Sequence, residues 1–347
     1  MSSVVALLTP VAARIHIGVL IVLRVMSGLG EGVMLPTVGA MIVQWSSPRH
    51  FSTIAGIVNI GGDVGLGMIF AGVLCDYGFA GGWPSVFYVY GMVGCVWFAC
   101  WCLFAYNSPS SHPLISTAEL EYWKRTIDSA DLTTEQPLTP WRKIFTSAPV
   151  WALATAYFAN NFFFFTLLVC VPLYLHDVLG VSIATNGVFS FVTFAGAIIS
   201  TPITGAVVDW LRSSGRLTTT VVRKGSCVAG LLLVDCCLIL LGFVGCNRAL
   251  AVTNLFFMVF FDGIVFNCLV TNQMDLAPAH AGKIMGLVIT VANLGSILGP
   301  IVVGAMTAHQ STHSTWQNVF FLMAVVNVFA AVVFLIFGSG NRQNWDD

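Results

Sequence analysis

Within one long apolar run, Arg24 to Trp45 (RVMSGLGEGVMLPTVGAMIVQW), the chain places one arginine and one glutamate. An ionised group in such surroundings is expensive, so each is a functional candidate by default. Arg24 and Glu31 are seven positions apart. At about 100° per residue this brings both to nearly the same helix face, two turns apart, so the charges point at one shared space. Gly28, Gly30 and Gly32 strip that region of side chains, and the Gly28-x-x-x-Gly32 spacing predicts close approach of a neighbouring helix. Pro36, one turn beyond Glu31, predicts a bend. A bent, glycine-lined helix with a buried charge pair is the expected wall of a solute pathway. Asp63, in the string GGDVGLG, Asp235 and Asp262 also fall inside apolar runs. Each is read as a cavity-facing carboxylate that adds to coupling chemistry, as a residue near a membrane interface, or as an interhelical hydrogen-bond partner.

These residues need membrane helices to hold them. Of 347 residues, 57% are hydrophobic and 8% charged, against about 25% charged in soluble domains. Mean hydropathy is +0.88. An all-α integral membrane protein follows. A bilayer-crossing helix takes about 20 apolar residues, and nine runs qualify: 17–43, 53–74, 86–106, 150–174, 186–208, 228–245, 250–270, 284–306 and 319–337. A shorter stub, Val4 to Ala13, precedes them. The expected domains are an N-terminal bundle at 1–106, a linker at 107–148 carrying Pro109, Pro113, Pro137 and Pro140, a six-helix bundle at 149–338 and a tail at 339–347.

If alternate loops face alternate sides, Arg49, Lys124, Arg125, Arg142, Lys143, Arg212, Arg216, Arg223, Lys224, Lys283 and Arg342 share one side, while Arg14 and Arg248 fall on the other. This bias puts the linker and the C-terminus in the cytoplasm. The net charge of −1 suggests no nucleic-acid partner. The ten cysteines lie almost entirely in apolar runs without CxxC spacing and read as small core residues, not metal ligands. No cofactor is expected. No nucleophile, base and orienting group cluster at motif spacing, so an enzyme is not expected either. The seven histidines fall at span ends or in loops. Trp83, Trp151, Trp210 and Trp316 read as interfacial anchors, and Phe162 to Phe165 as lipid-facing or packing surface. No basic region precedes the first apolar residues, so a signal peptide is not expected.

Six strings then point one way: RVMSGLGEGVMLP, GWPSVFYVYG, HPLISTAELEYW, NQMDLAPAHAGKIMGL, GPIVVGAMT and the tail WQNVFF with GSGNRQNW. In this order the chain resembles, from about Thr9 to Trp345, the anion/cation symporter family of the major facilitator superfamily, with its sialin, vesicular glutamate transporter and type I sodium/phosphate cotransporter branches. The resemblance implies two helical bundles with about ten of twelve spans present, the N-terminal bundle incomplete for want of the first two helices. It also implies that a substrate-contacting arginine of the first helix has no counterpart here.

By the same resemblance Glu31 matches a fourth-helix glutamate used in coupling or substrate binding, and Arg24 an arginine that holds either an anion or Glu31. A carboxylate desolvated in a bundle can take up a proton in one conformation and release it in another. Gly205, Asp209, Arg212, Gly215 and Arg216 resemble the cytoplasmic gating-loop signature. Two positions depart from the pattern. Gly39 stands where sialin-like members have a histidine, and Asn160 stands where vesicular glutamate transporters have an arginine. Asn160 and Asn161 are therefore candidate substrate hydrogen-bonders, with bonding across helices as the alternative. Asp275, in DLAP, is expected to cap a helix. The implied function is secondary active transport of small organic or inorganic anions by alternating access, coupled to a proton or sodium gradient, in a plasma, lysosomal or vesicular membrane. A second reading is a truncated, non-transporting relative that regulates or associates with a full-length one.

Overall fold

A computed structural model describes residues 1–32, 34, 37–38, 41, 65–106, 113, 115–116, 121, 139–213, 218–245, 247–308 and 312–346, and every side chain among them except those at 65, 66, 184, 209, 212, 213 and 279. Inside lipid a backbone must satisfy its own hydrogen bonds, which leaves helices or closed barrels. The described elements are all helical: α1 (Ser2–Ile15), α2 (Ile17–Glu31), α3 (Gly65–Tyr77), α4 (Trp83–Phe104), α5 (Trp141–Phe145), α6 (Ala148–Asp177), α7 (Ile183–Ser213), α8 (Thr219–Phe243), α9 (Arg248–Leu276), α10 (Ala281–Thr307) and α11 (His313–Phe337). Seven of them, α4 and α6 to α11, are long and apolar enough to cross a bilayer. The chain divides into two compact units, residues 1–63 with 70–135, and 64–69 with 136–347.

In the first unit a single residue separates two helices. His16 is extended at φ −166°, and its Nδ1 accepts from Gly18 N at 3.0 Å, so it ends α1 and caps α2. Between α3 and α4 the chain turns through Ala80, Gly81 and Gly82, all at positive φ (58°, 92° and 90°), a region that favours glycine. Ser85 Oγ lies within hydrogen-bond distance of Leu74 O and Gly82 O and closes the turn. Arg14 Nη2 donates to Ala80 O at 3.4 Å. Pro84 then occupies the first helical turn of α4, where a missing N–H costs nothing. Along α4, a Cβ on Gly91 would meet Leu7 and Ser3 of α1, so this glycine sets how closely those helices pack.

In the second unit α6 packs on α10 and α11, α7 on α9, and α8 on α9 and α11. Small residues let the axes approach: a Cβ on Gly295 would meet Phe162 N at 3.0 Å, and one on Gly299 would meet Thr166 Oγ1 and Phe162 O. The helices outlast their apolar runs, as where 250–270 becomes Arg248–Leu276. The reason is capping: Thr218, Asn247 and Thr312 accept from Val221 N, Leu250 N and Thr315 N, which starts each helix outside the hydrocarbon.

Two expectations change here, for Trp316 and for three of the cysteines. Trp316 is an interior residue, 2% exposed, set edge-on to Tyr174 with ring centres 5.4 Å apart, because Tyr174 and Phe320 form a pocket around it. Trp83, Trp151 and Trp210 remain exposed at 42%, 43% and 67%. Phe162 and Phe163 are buried packing residues, whereas Cys100, Cys102 and Cys236 lie on outer surfaces. The tail is tied down as well. Gln343 N donates to Leu276 O at 2.9 Å, Asn272 Nδ2 to Ser339 O at 2.8 Å and Gly340 N to Thr220 Oγ1 at 3.1 Å. Asp346 is fully buried, with Arg342 Nε donating to its Oδ2 at 2.9 Å and His280 Nδ1 3.0 Å from its Oδ1.

Candidate functional site

Arg24, Ser27 and Glu31 share one face of α2. The buried Ser27 hydroxyl donates to Glu31 Oε1 at 2.7 Å, one turn along the helix. The Arg24 guanidinium lies 5.4 Å from the centre of the Phe87 ring on α4, a cation–π contact. The expected buried ion pair between Arg24 and Glu31 is therefore not formed among the described residues, and both side chains are exposed. Two turns separate them by about 10 Å of rise, and each has a nearer partner. A Cβ on Gly28 would meet nothing within 4 Å among the described residues, and one on Gly30 would meet the Met1 side chain. Among the described residues no helix packs against Gly28. Pro36, Gly39 and Asp63 lie outside the described residues.

In the second unit the structure joins two residues that the sequence treats separately. Asn160 Nδ2 of α6 donates to Asp262 Oδ1 of α9 at 2.6 Å, with both residues buried. The alternative reading of Asn160, bonding across helices, is the one observed. Asn161 beside it is half-buried. Asp235 has an equivalent partner, since Asn327 Nδ2 of α11 donates to its Oδ1 at 3.1 Å. Asn327 was not singled out in the sequence, and its one signal there is an amide inside the apolar run VVNVFAAV. Tyr157 OH and Gln273 Oε1 make a further α6 to α9 link at 3.4 Å.

Gly205, Asp209 and Arg212 lie within helix α7, which continues to Ser213. The side chains of Asp209 and Arg212, and the whole of Gly215 and Arg216, are outside the described set. A Cβ on Gly205 would meet Asn267 Nδ2 at 3.3 Å, and that amide donates to Thr201 O at 3.1 Å. Asp275 forms an ion pair that the sequence did not signal: Arg223 Nε donates to its Oδ2 at 2.7 Å. Arg223, expected in a loop, is part of α8 and 2% exposed. The two arginines on the minority side serve turn carbonyls, Arg14 at Ala80 and Arg248 at Leu179 and Gly180. A small space lined by Thr166, Cys170, Tyr174, Trp316 and Phe320 holds about 10 Å³, room for one water and not for a solute.

The pattern for the Major Facilitator Superfamily matches residues 1–295 and 214–345. Vesicular glutamate transporter 3 of Danio rerio is 38% identical over the whole chain, which spans 59% of that protein's length. Sialin of Homo sapiens is 33% identical over 99% of the chain and 69% of its own length. A putative inorganic phosphate cotransporter of Drosophila ananassae is 35% identical over the whole chain and 72% of its own length. Among solved structures, a bacterial homologue of the human lysosomal transporter Spinster, inward-facing and unoccupied, superposes with a TM-score of 0.74 at 16% identity, over 97% of this chain and 80% of that one. A D-xylose-proton symporter gives 0.70 at 14% identity over 94% and 73%. At these identities the two structures bear on the fold alone. Helical architecture, apolar spans and ordered sequence strings lead to one conclusion: the chain is a multi-pass membrane protein of the major facilitator superfamily and belongs to its anion/cation symporter family.

Proposed function

We propose that this chain is a secondary active transporter of small organic or inorganic anions, working by alternating access and driven by a proton or sodium gradient. The observation that carries the reading is the α2 face. Arg24 and Glu31 stand in an apolar helix, and each is held by a neutral partner, Phe87 or Ser27, so neither charge cancels the other. Among the described residues the guanidinium meets no carboxylate, and it offers a two-pronged donor to an anion. A carboxylate held, among the described residues, by a hydroxyl can exchange a coupling ion. Arg24 is thus a substrate-binding cation and Asn161 a substrate-contacting amide of its own unit, and Glu31 and Asp63 are the coupling groups. Gly205, Asp209, Arg212, Gly215 and Arg216 form the gating element. Relatives named for glutamate and for inorganic phosphate support an anionic cargo. The lysine and arginine bias supports a cytoplasmic linker and C-terminus, in a vesicular, lysosomal or plasma membrane.

The test is uptake by the purified chain in lipid vesicles with an imposed proton or sodium gradient, using radiolabelled glutamate, sialate, urate and phosphate. At least one anion is expected to accumulate. Glu31→Gln is expected to abolish gradient-driven uptake while leaving counterflow exchange. No accumulation of any anion, or unchanged gradient dependence in Glu31→Gln, overturns the reading.

A further inference from the structure

We infer that Asp262 is a second proton-binding carboxylate of this chain and that Asn160 is its positioning residue. Asp262 lies at the middle of α9 (Arg248–Leu276) and Asn160 near the middle of α6 (Ala148–Asp177). At 1.5 Å per residue both are roughly 20 Å from the helix ends, which is the depth of the bilayer centre. The carboxylate is 6% exposed and the asparagine 3%. The 2.6 Å bond from Asn160 Nδ2 stabilises one carboxylate oxygen but supplies no positive charge.

Charge is the deciding quantity. Of the described cations of this unit, Arg223 pairs with Asp275, Arg342 with Asp346 and Lys283 with Thr139, while Arg142 and Lys143 are exposed on the short α5. Lys224 donates to Leu335 O and Ile336 O, and Arg248 to Leu179 O and Gly180 O. Each lies near a helix end or, for Arg342, in the tail beyond α11. On α9 itself the nearest charges, Arg248 and Asp275, are both about 20 Å along the axis. The helices packed on α9 are α6, α7, α8 and α10. Of these, α6 brings Tyr157, whose hydroxyl meets Gln273, with Cys170 and the terminal His176 and Asp177 beyond it. From α8 come Arg223 and Lys224 at the end, Cys227, Cys236 and Cys237, and Asp235, whose partner is Asn327. Helix α7 brings Asp209 and Arg212 in its last turns, and α10 brings Lys283 in its first. Among the described residues none supplies a countercharge at mid-depth.

A lone anion there is costly, and neutralisation by a proton removes the cost. Protonation adds one proton from the aqueous phase to a carboxylate oxygen, and release returns it. The Asn160 amide suits both forms, since its N–H donates to either. Asp235 differs: its Oδ2 and the Asn327 Oδ1 are both sealed and without a hydrogen-bond partner, a closed pair suited to packing and not to exchange. Asp262 has no such sealed, partnerless oxygen.

Infrared difference spectra of the purified full chain, taken from mildly acidic to mildly alkaline pH, test this without a substrate. The carbonyl band of a protonated carboxylic acid is expected to titrate, to vanish in Asp262→Asn, to persist in Asp235→Asn and Glu31→Gln, and to move in frequency in Asn160→Ala. A merely structural Asn160 would leave the frequency unchanged. If Asp262→Asn melts early, Asp262→Glu must retain a displaced band. A titrating band unchanged in Asp262→Asn, or none in the wild type, overturns the inference. Its part in the cycle rests on the transport reading. With radiolabelled glutamate, sialate, urate and phosphate in vesicles, Asp262→Asn is expected to lower the gradient-driven uptake of whichever accumulates about tenfold and spare its exchange. A titrating band without uptake in any variant overturns the transport reading alone, and uptake without the band overturns only this one.

Discussion

Arg223 of α8 donates its Nε to Asp275 Oδ2 of α9 at 2.7 Å, and while the arginine is 2% exposed the aspartate keeps 18% of its side chain open. The pair joins the start of one helix to the end of the next, 52 positions later. Removing one partner from such a pair strands a buried charge. Asp275→Ala is expected to cost about 3 to 5 kcal/mol, read as early thermal melting in detergent. The double variant Arg223→Met with Asp275→Leu should lose less than the single one. Equal melting of Asp275→Ala and wild type would show the pair to be energetically idle.

Two glycines that look alike in sequence separate in the fold. Gly299 faces Thr166 and the Phe162 carbonyl of α6, while Gly28 faces nothing within 4 Å among the described residues. Gly299→Val should push α6 and α10 apart at a cost of about 1 to 3 kcal/mol or more. Gly28→Ala should be neutral or stabilise by up to about 1 kcal/mol, through helix propensity. Melting curves of the two variants decide it, and a destabilised Gly28→Ala would contradict the open face.

Trp316 and Trp210 make a second contrast, at 2% and 67% exposure. Trp316→Ala empties a pocket shared with Tyr174 and Phe320, so a loss of about 3 to 5 kcal/mol is expected. Trp210→Ala should move the melting midpoint little in detergent and show its effect only on partition into bilayers.

The tail offers a local measurement. In Asp346→Ala, His280 and Arg342 both lose a partner, so residues 338–346 should loosen first. Hydrogen exchange at the Gln343 amide, bonded to Leu276 O in the native fold, is expected to speed up while exchange in α9 stays slow. Uniform acceleration across the unit would mean that the tail holds the whole bundle together.

Much of the architecture was legible before any coordinates. Six apolar runs in the second half became six long helices, displaced only at their ends, where in α8, α9 and α11 a capping side chain starts the helix. The polar contacts were less legible. Arg223 read as a loop charge because a run-length criterion stops where the hydrocarbon stops, whereas the helix does not. Arg24 and Glu31 read as partners because helical periodicity places them on one face, but periodicity carries no information about Phe87, more than 60 positions away on another helix.

By itself the sequence determines that this chain is helical and membrane-embedded, and which family it belongs to. A run of about 20 apolar residues has no other way to satisfy its backbone in lipid, and long ordered strings identify relatives. Only the tertiary structure decided which polar groups meet. Asn160 and Asp262 are 102 positions apart, and Asn327 and Asp235 are 92 apart. Those distances are closed by helix packing, which depends on the shapes of whole faces. Whether an intramembrane carboxylate meets a cation, an amide or open space is therefore a property of the packed bundle.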